Sequence, residues 1–157
     1  MKKIGEYTAR GIVSETDTEA GTPQKIPLFD GSFETGYRVV GFKVWGANYV
    51  SSSTNPDVIG KLSKNAIGST GASNFMRADD DNQIAWATSA SGLDGGGNPF
   101  AESIIDKDNL VVEDLYVYVR CTGTSSNPVN YLVEMEKYEI SDWQGALSMA
   151  RDRQDGE

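Results

Sequence analysis

The sequence contains no histidine. That absence removes Ser-His-Asp and Cys-His catalysis, His-ligated zinc and the side chain that ordinarily titrates near neutral pH. Its single cysteine, Cys121, allows neither an internal disulfide nor a thiolate cluster. With only Arg120 as a basic neighbour in sequence, Cys121 is expected to be a structural or incidental thiol rather than a nucleophile. Apolar runs last a few residues, far short of the roughly 20 needed to span a bilayer. Lys2 and Lys3 are not followed by an apolar stretch of secretory type, so no signal peptide is expected. Positive charge is scarce as well: 14 basic residues face 23 acidic ones, for a net charge of -9. Such a chain repels phosphate backbones and anionic lipid, which argues against direct nucleic-acid or membrane partners.

What is present is 157 residues, one domain's worth of chain, patterned mostly with a period of two. Between Tyr37 and Trp45, Val40, Phe42 and Val44 are expected on one face, with Arg38 at its polar entry. From Leu110 to Arg120, Val111, Leu115, Val117 and Val119 share a face, while Tyr116, Tyr118 and Arg120 point the other way. From Asn130 to Ile140, Tyr131, Val133 and Met135 oppose Glu134 and Glu136; the phase then shifts at Lys137, as a bulge would shift it. Short strands are predicted over Val58–Leu62 and Ile84–Thr88. Asp30-Gly31 suits a tight hairpin turn, and the stretch from Cys121 to Pro128 suits a long hairpin loop between the two strongest strands. One helix is predicted: Ser141-Asp-Trp-Gln144 has the form of a capping box, and Trp143, Ala146, Leu147 and Ala150 follow at helical spacing.

These elements predict an all-β fold, an antiparallel sandwich or single jelly-roll with a short C-terminal helix. Residues 1–22, too polar to build a core, are expected to form an N-terminal arm. The β-sandwich is placed at 23–140, and the helix with its polar tail at 141–157.

No residue pattern points to catalysis, a cofactor or a metal. Asp79-Asp80-Asp81, with Asp106 and Asp108, offers hard oxygen ligands for calcium, but the EF-hand spacing and its glycine are missing, so a solvated loop is expected. Glu113 and Asp114, read as strand neighbours, face opposite sides and cannot form a glycosidase acid pair. Glu134 and Glu136 share a face that reads as charged outer surface. Gly95-Gly96-Gly97 leads into Asn98-Pro99 rather than a phosphate-loop lysine and reads as a flexible loop. Tyr116, Tyr118, Tyr131, Tyr138 and Trp45 are candidates for an aromatic platform. Tyr116 and Tyr118, opposite the aliphatic face, suit a second layer or a subunit interface better than a sugar. Interface contacts are assigned to Tyr116, Tyr118 and Trp143.

Several segments resemble small proteins encoded in marine bacteriophage genomes: Ile4-Gly-Glu-Tyr-Thr-Ala-Arg-Gly11, Leu28 to Val39, Ile84-Ala-Trp-Ala87, Asp108 to Leu115, Asn130 to Tyr138 and Trp143 to Leu147. The likeness spans most of the chain outside its Ser/Gly-rich loops. Such proteins are similar to virion structural components. The resemblance implies a non-enzymatic capsid or decoration subunit, located in the virion, with itself as homo-oligomer and other virion proteins as partners. The competing expectation is a carbohydrate-binding or host-adhesion module on a tail or spike.

Overall fold

The computed structural model describes residues 1–47, 57–66, 75–90, 100–121, 128–141 and 147. In chain order the elements are β1 (Lys2–Val13), α1 (Glu15–Ala20), β2 (Gln24–Ile26), β3 (Thr35–Gly46), β4 (Val58–Ser63), β5 (Gln83–Ala90), β6 (Phe100–Ile105), β7 (Leu115–Cys121) and β8 (Val129–Glu139). They form a three-stranded sheet ordered β1-β8-β3 and a five-stranded sheet ordered β2-β7-β4-β5-β6. Every pairing is antiparallel. The chain is therefore an all-β sandwich.

Alternation builds its core. On β8, Val129, Val133 and Met135 turn inward and are buried. They meet Val13, Ala9 and Tyr7 of β1 and Val39, Phe42 and Tyr37 of β3, by direct opposition or along the same face. From the other sheet come Leu62 of β4, Ala85 and Ala87 of β5, and Leu115, Val117 and Val119 of β7, all buried in the same cluster. The sheets approach closely at Gly60. A Cβ there would lie 2.8 Å from Val44 Cγ1, so a side chain at this position would push β4 away from β3.

Two bulges set the phase of the three-stranded sheet. The β3–β8 register shifts between Val39 and Gly41, so Val39 faces inward before the bulge and Phe42 and Val44 after it. Val40, expected on the inner face, is the displaced residue and only half-buried. The bulge expected at Lys137 is not in β8, which keeps an unbroken register with β3 from Glu139 to Met135; the shift lies between Lys3 and Gly5 on β1, opposite Tyr138 and Lys137. The extra residue thus sits on the neighbouring strand.

Long-range pairing revises several local expectations. The first 22 residues do not form a separate arm, because β1 pairs with β8 along its length and α1 packs on β7. Ser14 caps α1, its hydroxyl oxygen accepting the Asp17 N–H, and Gly21 ends the helix at φ 69°, a conformation glycine adopts without strain. Asp30-Gly31 is a turn, with Ser32 N–H donating to Asp30 Oδ1 at 3.0 Å. It connects β2 of one sheet to β3 of the other and is not a hairpin. β7 and β8 likewise lie in different sheets, so they are not the two arms of a hairpin. Strand structure begins at Leu115 rather than Leu110; Val111 instead makes an isolated bridge to Tyr37. The helix expected from Ser141 onward lies outside the described residues apart from Ser141 and Leu147, as do the Gly95–Gly97 loop and Trp143.

Tyr118 is fully buried, although it faces away from the inter-sheet core. It projects from the outer face of the five-stranded sheet, opposite Lys61, and Phe75 closes over both. It belongs to a second layer inside the chain and is not available on the surface as an interface residue. Met135→Ala is expected to cost about 2–5 kcal/mol and Tyr118→Ala about 3–5 kcal/mol. Chemical denaturation of the two variants measures both losses; an undiminished midpoint for Tyr118→Ala would contradict its burial.

Candidate functional site

The outer face of the five-stranded sheet carries the chain's densest polar chemistry. A cross-strand row runs Tyr118, Lys61, Trp86, Ile104 over β7, β4, β5 and β6. Lys61 is 1% exposed, and its ammonium lies 4.4 Å from the Phe75 ring centroid and 4.7 Å from that of Tyr118. Two aromatic faces thus replace part of the water the cation has lost. Burial lowers the Lys61 pKa, against an opposing pull from Asp80. Burial also pushes the Tyr118 phenol up to about 12. Its hydroxyl donates to the Asn65 carbonyl at 3.3 Å.

Beside this row opens a cleft of about 500 Å³, lined by Lys64, Asp80, Asp81, Gln83, Trp86, Asp106, Asp108 and Asn109 among others. Two turns build it. In the first, Asp80 Oδ1 accepts the Asn82 N–H at 3.0 Å, and Asp80 Oδ2 accepts Gln83 Nε2 at 3.2 Å. Gln83 Oε1 then accepts both Trp86 Nε1–H at 2.8 Å and the Arg77 N–H at 2.9 Å. In the second turn, Asp106 Oδ1 accepts the Asp108 N–H at 3.1 Å and Asp106 Oδ2 accepts Asn109 Nδ2 at 2.7 Å. Folding therefore brings Asp80, Asp81, Asp106 and Asp108 to one cleft, as a calcium reading would want. Asp80 and Asp106, however, spend their oxygens on turn N–H groups and neighbouring amides. Asp79 points to Arg77, whose guanidinium holds its carboxyl below the usual range. Among the described residues, no group of three or more acidic side chains converges as metal ligands.

A second cleft, about 380 Å³, is lined by Phe29, Lys64, Asn65, Ala66, Glu113, Asp114 and Tyr116. Glu113 and Asp114 precede β7, so strand alternation does not separate them as expected, and both reach this cleft. Asp114 serves the fold. Its Oδ1 accepts the N–H groups of Leu28 at 2.8 Å and Phe29 at 3.1 Å, and Oδ2 lies 3.1 Å from Lys25 Nζ. Partial burial raises its pKa, but the two N–H donors and Lys25 outweigh this and leave it below the ordinary carboxylate value. Tyr116, half-buried on the cleft wall, is the one assigned interface tyrosine with an accessible edge.

The five aromatic residues considered as a platform do not assemble. Tyr116 and Tyr118 lie on the five-stranded sheet, Tyr131 faces inward on β8, and Tyr138 and Trp45 stand near opposite ends of the outer face of β1-β8-β3. That outer face is the charged surface expected from Glu134 and Glu136. Lys3 Nζ bridges Glu6 Oε1 at 3.0 Å and Glu136 Oε1 at 2.9 Å, and Arg38 lies 5.1 Å from the Tyr138 ring centroid. Apolar side chains also remain exposed here and along β1: Ile4, Tyr7, Ile12 and Trp45. Sequence reasoning passed over this strand because its apolar residues are sparse and its pairing partner lies at the far end of the chain.

Comparison with known protein families, with curated proteins and with solved structures finds no match to this chain.

Two titrations test this geometry. Asp114 has a lower pKa folded than unfolded, so the stability it contributes is present above about pH 4 and is lost as pH falls through its folded value. Asp114→Ala should destabilise by about 1–3 kcal/mol at neutral pH and flatten the acid limb of a melting-temperature profile. Lys61 also has a lower folded pKa, but as a base. The unfolded chain then holds the extra proton, and stability rises with pH up to the ordinary lysine value near 10.4. Lys61→Met should keep the fold and remove that rise, measured below about pH 10, where tyrosine ionisation has not begun to oppose it.

Proposed function

We propose that the chain is a non-enzymatic structural subunit of a bacteriophage virion, a jelly-roll-like component of the capsid or its decoration, acting through contacts with copies of itself and other virion proteins. The observation that carries this reading is the placement of exposed large apolar side chains. Ile4, Tyr7 and Ile12 lie along one edge strand, and Trp45 shares the outer face of the same sheet. Apolar side chains left exposed along an open edge strand are what a repeated assembly contact needs. The resemblance of the β1, β5 and β8 segments to phage-encoded structural proteins points the same way.

The jelly-roll part rests on strand order. A jelly-roll is one long hairpin of eight strands, pairing first with eighth, second with seventh, third with sixth and fourth with fifth, then rolled up. Rolling places the first pair beside the third and the second beside the fourth. Here β1 pairs with β8, β2 with β7 and β4 with β5, and rolling-type neighbours β8–β3 and β7–β4 are present too. The departure is β6, which pairs with β5 while lying against β3.

A second reading, a carbohydrate-binding or host-adhesion module, is favoured by the cleft where Trp86 meets Asp108 and Asn109, because an indole edge among amides and carboxylates suits a sugar. Mass spectrometry of purified particles should find the protein in multiple copies per particle. Its absence from particles would overturn the structural role, and saturable glycan binding lost in Trp86→Ala would establish the second reading instead.

A further inference from the structure

β1 is the longest open edge among the described strands. It has twelve residues and one strand neighbour, β8. The other edges are shorter or obstructed. β2 has three residues and β6 six. β3 is met by Val111, which exchanges N–H to carbonyl bonds with Tyr37 at 2.8 Å. A long edge presents a row of backbone donors and acceptors that water or another strand must satisfy. On β1 the side chains flanking that row include Ile4 at 50% and Ile12 at 60% exposure.

The occupant follows from the strand's own sequence. In a symmetric pair of antiparallel edges, the two-fold axis stands perpendicular to the sheet, and residues of like parity face one another. Few registers then overlap most of the strand. An axis at Glu6 sets Glu6 against Glu6, which are like charges. An axis at Tyr7 sets Glu6 against Thr8 and Ile4 against Arg10. An axis at Ala9 sets Glu6 against Ile12. An axis at Thr8 pairs Glu6 with Arg10 of the second copy and Arg10 with Glu6 of the second copy. It also sets Gly5 opposite Gly11 and brings Ile4, at the bulge, to the end of the seam beside Ile12 of the second copy, so the strand overlaps from the bulge to Ile12. Glu6, Thr8 and Arg10 all lie on the outer face, opposite Glu136, Glu134 and Leu132 of β8. Arg10 is exposed and has no ion-pair partner among the described residues, and Glu6, held only by Lys3, is largely in water.

We propose that two copies of this chain associate through β1, antiparallel about a two-fold axis at Thr8, fusing their three-stranded sheets into one sheet of order β3-β8-β1-β1-β8-β3. Opposite charges directly across an antiparallel pair stabilise it, and like charges destabilise it. The register is therefore chosen by the Glu6–Arg10 pairs, while the Ile4–Ile12 contacts remove apolar surface from water. This deepens the assembly reading above by naming its partner and its surface, and its biological meaning rests on that reading.

Sedimentation of the purified full chain should show a dimer or an even-numbered assembly. Glu6→Arg alone and Arg10→Glu alone should each shift it to monomer, because each creates two like-charge oppositions. The double variant Glu6→Arg/Arg10→Glu should restore the dimer. Cross-linking provides a readout that survives if the charge variants fold poorly. With Cys121→Ser as background, Thr8→Cys lies on the axis, where facing Cα atoms sit about 4.5–5.5 Å apart, within disulfide reach. It should give an intermolecular disulfide on oxidation. Glu6→Cys, four residues out of register with its own copy and so about 14 Å away, should not. A chain that stays monomeric, single swaps that leave the dimer intact, a double swap that fails to restore it, or equal cross-linking at both positions would each overturn the seam. If the protein is nonetheless found in particles, the assembly role stands and another surface carries it; a β1 dimer absent from particles would keep the seam and remove the role.

Discussion

Both partners in the three-stranded sheet are held by β8, which pairs with β1 on one side and β3 on the other while supplying Val129, Val133 and Met135 to the core. Because β1 is the first and β8 the last of the described strands, that sheet joins segments far apart in the sequence. Loop-closure entropy opposes a pairing so distant in sequence, and the hydrophobic contacts of β1 and β8 in the shared core offset it. The bulge at Val40 follows from the same constraint. Tyr37 and Val39 must face inward on one side of it, and Phe42 and Val44 on the other, so one residue is displaced to change the phase.

The two sheets differ in what lies outside them. Over β4 and β7 the five-stranded sheet is covered twice, by the inter-sheet core on one face and by Phe75 on the other. This is why Val117, Tyr118 and Val119 are buried in succession on β7. The three-stranded sheet has a solvated outer face, kept polar near its β1 N-terminal end by Lys3, Glu6, Glu136 and Arg38 and more apolar at the other end by Ile12 and Trp45. The aspartate-lined clefts sit on the five-stranded side, and the open edge belongs to the three-stranded side.

Buried polar groups concentrate where the second cover lies. Lys61 and Gln83 are both buried there, and the ring faces of Phe75 and Tyr118 and the Gln83 bonds to Trp86 and Arg77 offset their desolvation. Aspartates in the same region stabilise turns by accepting backbone N–H groups, which accounts for their density without a ligand.

Alternation within β7 and β8 was readable from the sequence, because a strand half-buried against a core must repeat with period two; Val117, Val119, Val133 and Met135 are buried as that pattern requires. The absence of histidine and the acidic balance are likewise properties of composition alone. α1 was not among the expected elements: Ser14, which caps it, and Gly21, which ends it, lie in the stretch read as a polar arm. What only the tertiary structure decided is which strands pair, and what covers each face. β1 has few apolar residues and becomes a strand because β8 offers it a ladder, a partner no local window contains. Tyr118 alternates away from the core as its position dictates, yet it is buried because a segment more than forty residues earlier folds across it, with Phe75 against its ring. Local sequence sets the period of a strand; burial of its second face is set by chain arriving from elsewhere, through contacts whose energy appears only when the whole sandwich has formed.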